Sequence, residues 1–427
     1  MAHRRTVWVL GLLLFTLLVR GGWLALTAEQ LAADPDGYRA LAENLLEHGV
    51  LGSGGRPTAY RPPLYPLLLA ACLALTGSPW AIGVAHLLLG AATVLVTFWL
   101  ALNWLNAPSS NVIQKAEARI QTGIACLAAG LVACDPILLN QASLVMTETL
   151  ATFLAALCLA ALTRLDQQPA ARRALVTGIC LGLASLCRPT FLPWTLAVVL
   201  WSAWRLEGWA VRARVAGALC LGAGLVLSPW AIRNQRHFGR PVISTTHGGY
   251  TLLLGNNPSF YAHLAESSRQ QVWKATELDG QVRRWRLESK GNEVENDRRE
   301  YRRAWQNIAR QPGMFVRACT RRVGRLWAVA PRPIDDGQAF GRDRFRLAVG
   351  AWYAALYLLA SLGVWAIGRR LLRRPWVWGL LQAATFTAVH TLYWSDMRMR
   401  APLTPVVTLA AAAGAGWLAS RWLSAKR

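Results

Sequence analysis

The chain has 427 residues, of which 16% are charged and 54% hydrophobic, where a soluble domain of this size carries about a quarter charged residues. That composition excludes an ordinary soluble enzyme and indicates a membrane protein. The net charge of +24 does not indicate nucleic acid, because the Lys and Arg residues cluster between apolar runs rather than in one tail, as topology signals and contacts to anionic lipid do.

Residues 6–26 follow His3, Arg4 and Arg5 and are expected to form a first span, a signal anchor rather than a cleaved signal peptide, since the apolar run continues past Arg20 to Leu26. Arg20 inside it either snorkels to headgroups or faces a polar interior. The polar stretch 34–66 comes next. Asp34 and Tyr38 are four residues apart and share a face if this stretch is helical, with Leu41, Leu45 and Leu46 as an apolar stripe. Asp36 is out of phase with Tyr38 on such a helix and is expected to matter less. Arg56 and Arg61 follow, the latter held extended by Pro62 and Pro63, which suits a cation aimed at a phosphate near the headgroups.

Residues 64–77 are apolar but shorter than the about 20 needed to span, so an interfacial or re-entrant helix is predicted. Spans are predicted at 79–103, 119–135, 146–163, 173–187, 190–205, 211–229, 346–368, 375–394 and 402–420, ten with the first. The basic loops around Lys115 and Arg119, 164–173, 205–214 and 369–374 fall on one side with both termini, which the positive-inside rule makes cytoplasmic. The loop at 27–78 and the segment 230–345 then lie outside. The expected organisation is a catalytic transmembrane half at 1–229, an external segment at 230–345 and C-terminal spans at 346–427.

The external segment carries 21 Lys and Arg against 11 acids. Its stretch Ala304 to Trp327 interleaves arginines with Trp305, Ile308, Phe315, Val316, Val323, Leu326 and Trp327, a basic amphipathic surface suited to anionic headgroups. Gly248-Gly249 and the GNNP at 255–258 read as turns. The polar, Gly- and Asn-rich part up to about residue 300 is expected to close over a substrate. The eight cysteines lie mostly in apolar runs without metal or CxxC spacing.

Several polar residues fall at the predicted outer ends of spans. Glu148 either caps its helix or faces Asp34 across a cavity; Arg188 precedes Pro189 at a turn, and Arg398 and Arg400 sit just before the last span. A carboxylate that takes a proton from an acceptor, beside cations that stabilise a leaving phosphate, is the equipment for transfer from a lipid phosphate. Ser/His/Asp catalysis has little support, because His86 and His390 lie in spans and His237, His247 and His263 lack a nucleophile motif. A transporter or flippase is the competing class, yet it is expected to show paired half-repeats with polar residues at the midplane, whereas these gather at one face. A purely structural assembly subunit is disfavoured for the same reason.

In order, D34-x-x-x-Y-x-x-L-A-x-N-L-L, P57-T-A-Y-R-P-P-L-Y-P, T147-E-T-L, L186-C-R-P-T, S228-P-W-A-I-R-N, G255-N-N-P and M397-R-x-R-x-P resemble the GT-C glycosyltransferases of the protein O-mannosyltransferase and lipid A aminoarabinose transferase superfamily. The resemblance implies an all-α polytopic bundle of about ten spans, with interfacial helices in the first outer loop and a larger outer-face segment. It further implies a polyprenyl-phosphate sugar donor, transfer at the outer face of a bacterial cytoplasmic membrane, and inversion at the anomeric carbon. Asp34 would be the catalytic acid/base, Glu148 the supporting acid and Arg61 the donor-phosphate ligand, with Tyr38, Arg56, Tyr60, Arg188, Arg398 and Arg400 as further substrate-binding residues. Tyr60 stands where the aminoarabinose transferase has a metal-ligating glutamate, so no metal site is carried over and the cofactor requirement, a divalent metal included, stays open. The lectin-like domain of some protein mannosyltransferases is absent, which leaves the acceptor, whether glycan, lipid or protein, open too.

Overall fold

The structure, a computed structural model, describes residues 2–105, 114–205, 208–266, 273–288, 291–331 and 339–425. In chain order the helices are α1 (Ala2–Leu26), α2 (Tyr38–His48), α3 (Leu64–Thr76), α4 (Pro79–Trp104), α5 (Gln114–Ala133), α6 (Pro136–Ala142), α7 (Glu148–Gln167), α8 (Ala171–Cys187) and α9 (Phe191–Arg205). There follow α10 (Trp209–Phe238), α11 (Gly248–Gly255), α12 (Pro258–Glu266), α13 (Thr276–Glu288), α14 (Glu293–Arg310), α15 (Pro312–Leu326), α16 (Ala339–Ile367), α17 (Trp376–Leu392) and α18 (Thr404–Ala425). Tight 3-10 turns occupy Ala28–Ala32, Gly368–Leu372 and Met397–Leu403. Among the described residues the only sheet is a hairpin of β1 (Gly52–Ser53) and β2 (Arg56–Pro57), antiparallel with Gly52 opposite Pro57.

Among the described residues six helices are long and apolar enough to cross a bilayer: Thr6–Leu26, Pro79–Trp104, Glu148–Gln167, Trp209–Phe238, Arg344–Leu372 and Met397–Trp422. The chain is an integral membrane protein. The predicted span at 119–135 does not run straight: the chain bends by 49° between Gln121–Ala133 and Pro136–Ala142. Pro136 lacks an N–H, and Asp135 caps the new helix by accepting from Leu138 N at 3.0 Å, which stops α5 there. The helices at the predicted spans 173–187, 190–205 and 375–394 have 17, 15 and 17 residues, short of a full crossing on their own.

α7 lies at the centre, with α4, α8, α17 and α18 packed around it. α8 and α10 approach so closely that a Cβ on Gly178 would stand 2.2 Å from Leu219 O, and one on Gly222 2.2 Å from Leu175 O, so both positions require glycine. Leucines on the outer faces of α1, α10 and α16, such as Leu14, Leu18, Leu221, Leu225 and Leu358, are exposed as a lipid-facing surface needs. Arg20 faces inward rather than snorkelling, with Nη2 donating to Val132 O at 2.7 Å.

α11 to α15 form a separate helical layer with apolar clusters of their own, Leu252, Leu253, Leu278, Val282 and Ala304 in one and Phe260, Tyr261, Leu264 and Ala318 in another. Gly248 and Gly249, read from the sequence as a turn, instead open α11, and Gly249 N donates to Asp297 Oδ1 at 2.6 Å. The GNNP does turn the chain, since Asn257 Oδ1 accepts from Phe260 N at the start of α12. The run Ala304–Trp327 is two helices split at Gln311–Pro312, and Arg322 and Arg325 on it are buried rather than offered to headgroups.

Candidate active site

A cleft of about 1050 Å³ lies between the membrane bundle and the α11–α14 layer. Its floor is a row of alternating charges supplied by five separate parts of the chain. Glu148, the first residue of α7 and 1% exposed, places Oε1 3.2 Å from both Arg188 Nη1 and Arg398 Nη1. Arg188 follows the last residue of α8, where Pro189 keeps its backbone extended, and Arg398 is the second residue of the 3-10 turn that Asp396 caps by accepting from Arg398 N. Arg398 Nη2 lies 3.8 Å from Asp36 Oδ2, and Asp36 Oδ1 accepts from Arg61 Nη2 at 3.1 Å. Arg61 Nε also donates to the Asp36 carbonyl at 3.1 Å. The guanidinium of Arg61 sits 5.3 Å above the Tyr38 ring and 5.5 Å from that of Tyr60.

Asp36, not Asp34, is the acid that the fold brings into this cleft. Residues 34–37 are a turn before α2 rather than part of a helix, so the i, i+4 face expected for Asp34 and Tyr38 does not form. Asp34 Oδ2 accepts from Ala40 N at 3.0 Å and ties down the start of α2. Gly37 at φ +72° makes the turn, a backbone conformation open to glycine and strained for other residues. The signal was present in the sequence, since D-P-D-G has a turn signature. Glu148 accordingly meets Arg188 and Arg398 instead of facing Asp34.

Of the other expected residues, Tyr38, Tyr60, Arg61, Arg188 and Arg398 line the cleft, and Arg56 and Arg400 do not. Arg56 is exposed on the small hairpin. Arg400 points away and is buried, with Nη1 donating to Leu326 O at 2.8 Å and Ala328 O at 2.6 Å beneath a guanidinium packed 4.3 Å over the Tyr353 ring. One residue of 3-10 turn, Met399, separates it from Arg398, and the two side chains leave the turn in different directions.

The outer wall was not legible locally. His247 stacks on Tyr250 with ring centroids 5.3 Å apart and meets the Tyr60 ring at a tilt of 60° and 4.3 Å. Arg286 on α13 pairs with Glu300 Oε1 on α14 at 2.8 Å and reaches over Tyr60, while Tyr301 and Tyr393 share a hydrogen bond of 3.2 Å. Burial, with Arg61 and Arg286 close by, depresses the His247 imidazole to about 3, so it stands neutral. Burial pushes the Tyr38 phenol up to about 12 despite the Arg61 guanidinium, so it remains a proton donor at neutral pH. Arg286 is one arginine among many in its segment, and nothing in the local sequence marks it.

At the position where the resemblance has a metal-ligating glutamate, Tyr60 stands between Arg61 and Arg286, each within 5.5 Å of its ring. Among the described residues no three His, Cys, Asp or Glu side chains gather as a metal site. Two guanidinium groups around a phenol fit an anion rather than a metal cation.

No family model matches the sequence, and neither does any curated protein. Among solved structures, the chain is similar to the oligosaccharyltransferase of Archaeoglobus fulgidus in its apo form, at 16% identity and a TM-score of 0.54 over 97% of this chain and 51% of that one. It is similar also to the oligosaccharyltransferase AglB of the same organism in complex with an inhibitory peptide and a dolichol-phosphate, at 14% identity and a TM-score of 0.52 over 98% of this chain and 51% of that one. The chain thus spans about half the length of each. ArnT from Cupriavidus metallidurans bound to undecaprenyl phosphate overlaps with a TM-score of 0.39 at 16% identity over 97% of this chain and 79% of that one, too low to carry an argument. At these identities the likeness is one of fold, the fold of these archaeal oligosaccharyltransferases.

Proposed function

We propose that the protein is a membrane glycosyltransferase that moves a sugar from a polyprenyl-phosphate donor to an acceptor at the outer face of the membrane, with inversion. The observation that carries this is the charge row Arg188, Glu148, Arg398, Asp36, Arg61 on the floor of a cleft large enough for a sugar phosphate. A phosphodiester is an anion, and Arg61 and Arg398 flank Asp36, so a donor phosphate held by these guanidiniums places the anomeric carbon beside the carboxylate. In the transfer the acceptor hydroxyl or amine attacks that carbon and gives its proton to Asp36. The bond from carbon to phosphate oxygen breaks, and its electron pair stays on the phosphate, where the arginines stabilise it. Glu148, shared between Arg188 and Arg398, holds both cations in place. The bound dolichol-phosphate of the archaeal oligosaccharyltransferase AglB supports a lipid-phosphate ligand for this fold.

The test is to incubate the purified protein in detergent with a panel of polyprenyl-phosphate sugars and candidate acceptors and to follow release of polyprenyl phosphate. Donor-dependent release is the expected result. Movement of the intact lipid across sealed vesicles with no release would replace the transferase with a flippase.

A further inference from the structure

Two buried titratable residues outside the cleft lining take no part in the transfer: Tyr65, the second residue of α3, and His86 inside α4, 0% and 1% exposed. They are bonded to each other and to fixed points beyond. His86 Nδ1 lies 3.0 Å from the Ala142 carbonyl at the end of α6, which only accepts, so the ring proton belongs on Nδ1 and Nε2 presents a lone pair. Tyr65 Oη, 3.1 Å from Nε2, therefore donates to it. The Tyr65 ring also meets the Tyr38 ring in a T-shaped contact, with centroids 5.2 Å apart and planes at 85°. Tyr38 in turn lies under the Arg61 guanidinium, 5.3 Å from the centroid of its ring.

A continuous chain of contacts therefore runs from α6 to the cleft through Ala142, His86, Tyr65, Tyr38 and Arg61. Tyr65 is tied to Arg61 along the backbone as well, since only Pro62, Pro63 and Leu64 separate them and the two prolines stiffen that link. An apolar pair of the same size would fill the space without burying two polar groups in the bundle, so packing alone does not call for a tyrosine facing a histidine. What the two hydrogen bonds add is direction. They fix the orientation of both rings, and with it the surface against which Tyr38 and then Arg61 come to rest. Orientation matters for Arg61 because a guanidinium engages a phosphate through paired N–H groups of fixed geometry.

We propose that Tyr65 and His86 are positioning residues for Arg61, holding Tyr38 so that the guanidinium is aimed at the donor phosphate. This rests on the proposed function in taking Arg61 as a ligand of the lipid phosphate, and it concerns neither the sugar nor the acceptor.

The test is a double-mutant cycle on binding of polyprenyl phosphate to the purified protein, with the donor and acceptor KM of transfer and the melting temperature read in parallel. Tyr65→Phe keeps the ring and removes the bond to His86. It is expected to weaken binding about three- to tenfold and to raise the donor KM with the acceptor KM unchanged. In an Arg61→Ala background, where Arg398 still offers a cation and binding is measured at higher lipid concentration, the same substitution is expected to have no further effect. His86→Leu is expected to reproduce the loss, and His86→Gln, which keeps a donor and an acceptor, to recover part of it. A loss of equal size with and without Arg61 overturns the inference, as does binding unchanged by Tyr65→Phe, because the pair then only supports the fold. A parent protein that binds no polyprenyl phosphate overturns the proposed function and this inference with it.

Discussion

At the scale of single residues, neighbours in sequence have different tasks. Asp36→Asn keeps the shape of the side chain and removes the basic oxygen beside Arg61 and Arg398, so transfer is expected to slow on the order of 100-fold with donor binding retained. Asp34→Asn weakens only the tie to Ala40 N and is expected to cost about 1 kcal/mol of stability with turnover little changed; parallel turnover and thermal melts of both variants separate these outcomes, and a reversed order returns the base to Asp34. Arg400→Ala removes the donor that holds the Leu326 and Ala328 carbonyls, and about 3 kcal/mol of stability is expected to go with it, while donor affinity of the folded fraction stays at the parent value. His247 gives a pH signature. Its imidazole titrates at about 3 in the fold against 6.5 ordinarily, so the unfolded chain takes up the proton first as pH falls. The stability it contributes is complete above pH 6.5 and is lost below it, by at most about 1.4 kcal/mol per pH unit. Asp297, raised to about 6 mainly by burial, works in the opposite direction, since its contribution is present at low pH and lost as pH rises towards 6. Comparison with His247→Gln cancels that opposing effect, and the melting temperature of the parent is expected to fall more steeply than the variant's between pH 7 and 5.

At the scale of elements, one carboxylate gathers several of the contacts between the first loop and the external helices. Glu293, which opens α14, accepts from Thr58 Oγ1 at 2.8 Å, from Ala59 N at 3.0 Å and from Thr246 Oγ1. Arg233 on α10 holds the same loop through Thr58 O at 2.9 Å and Leu51 O at 3.0 Å. These polar contacts clasp the layer on the side of the first loop, while on the other side it rests on aromatic contacts, with Phe260 and Trp273 packed against Trp394 just beyond α17. Glu293→Ala is expected to raise the rate of limited proteolysis in 246–300 about tenfold or more, and bound donor to slow cleavage in the parent. Identical cleavage of parent and variant, with and without donor, would show that this clasp does not control the layer.

At the scale of the whole molecule, the cleft joins the first loop, the α8–α9 turn, the α13 helix and the 3-10 turn before α18, parts of the chain up to about 360 residues apart. A ligand that touches all of them stabilises the folded protein by mass action, so polyprenyl phosphate at a hundred times its Kd is expected to add about 2.7 kcal/mol and raise the melting temperature in detergent. An unchanged melting temperature at saturation would count against the cleft as its site. The sequence by itself determined the membrane character, the course of the six long spans and, through the order of its short motifs, the fold, because apolar length and local turn chemistry are properties of contiguous residues. Only the tertiary structure decided that Asp36 rather than Asp34 enters the cleft, that Arg398 enters while Arg400 braces Leu326 and Ala328, and that Arg286 and His247 arrive from the external layer. The reason is physical: a turn or a 3-10 segment sends adjacent side chains in different directions, and which of them meets the cavity depends on packing between elements far apart in the chain.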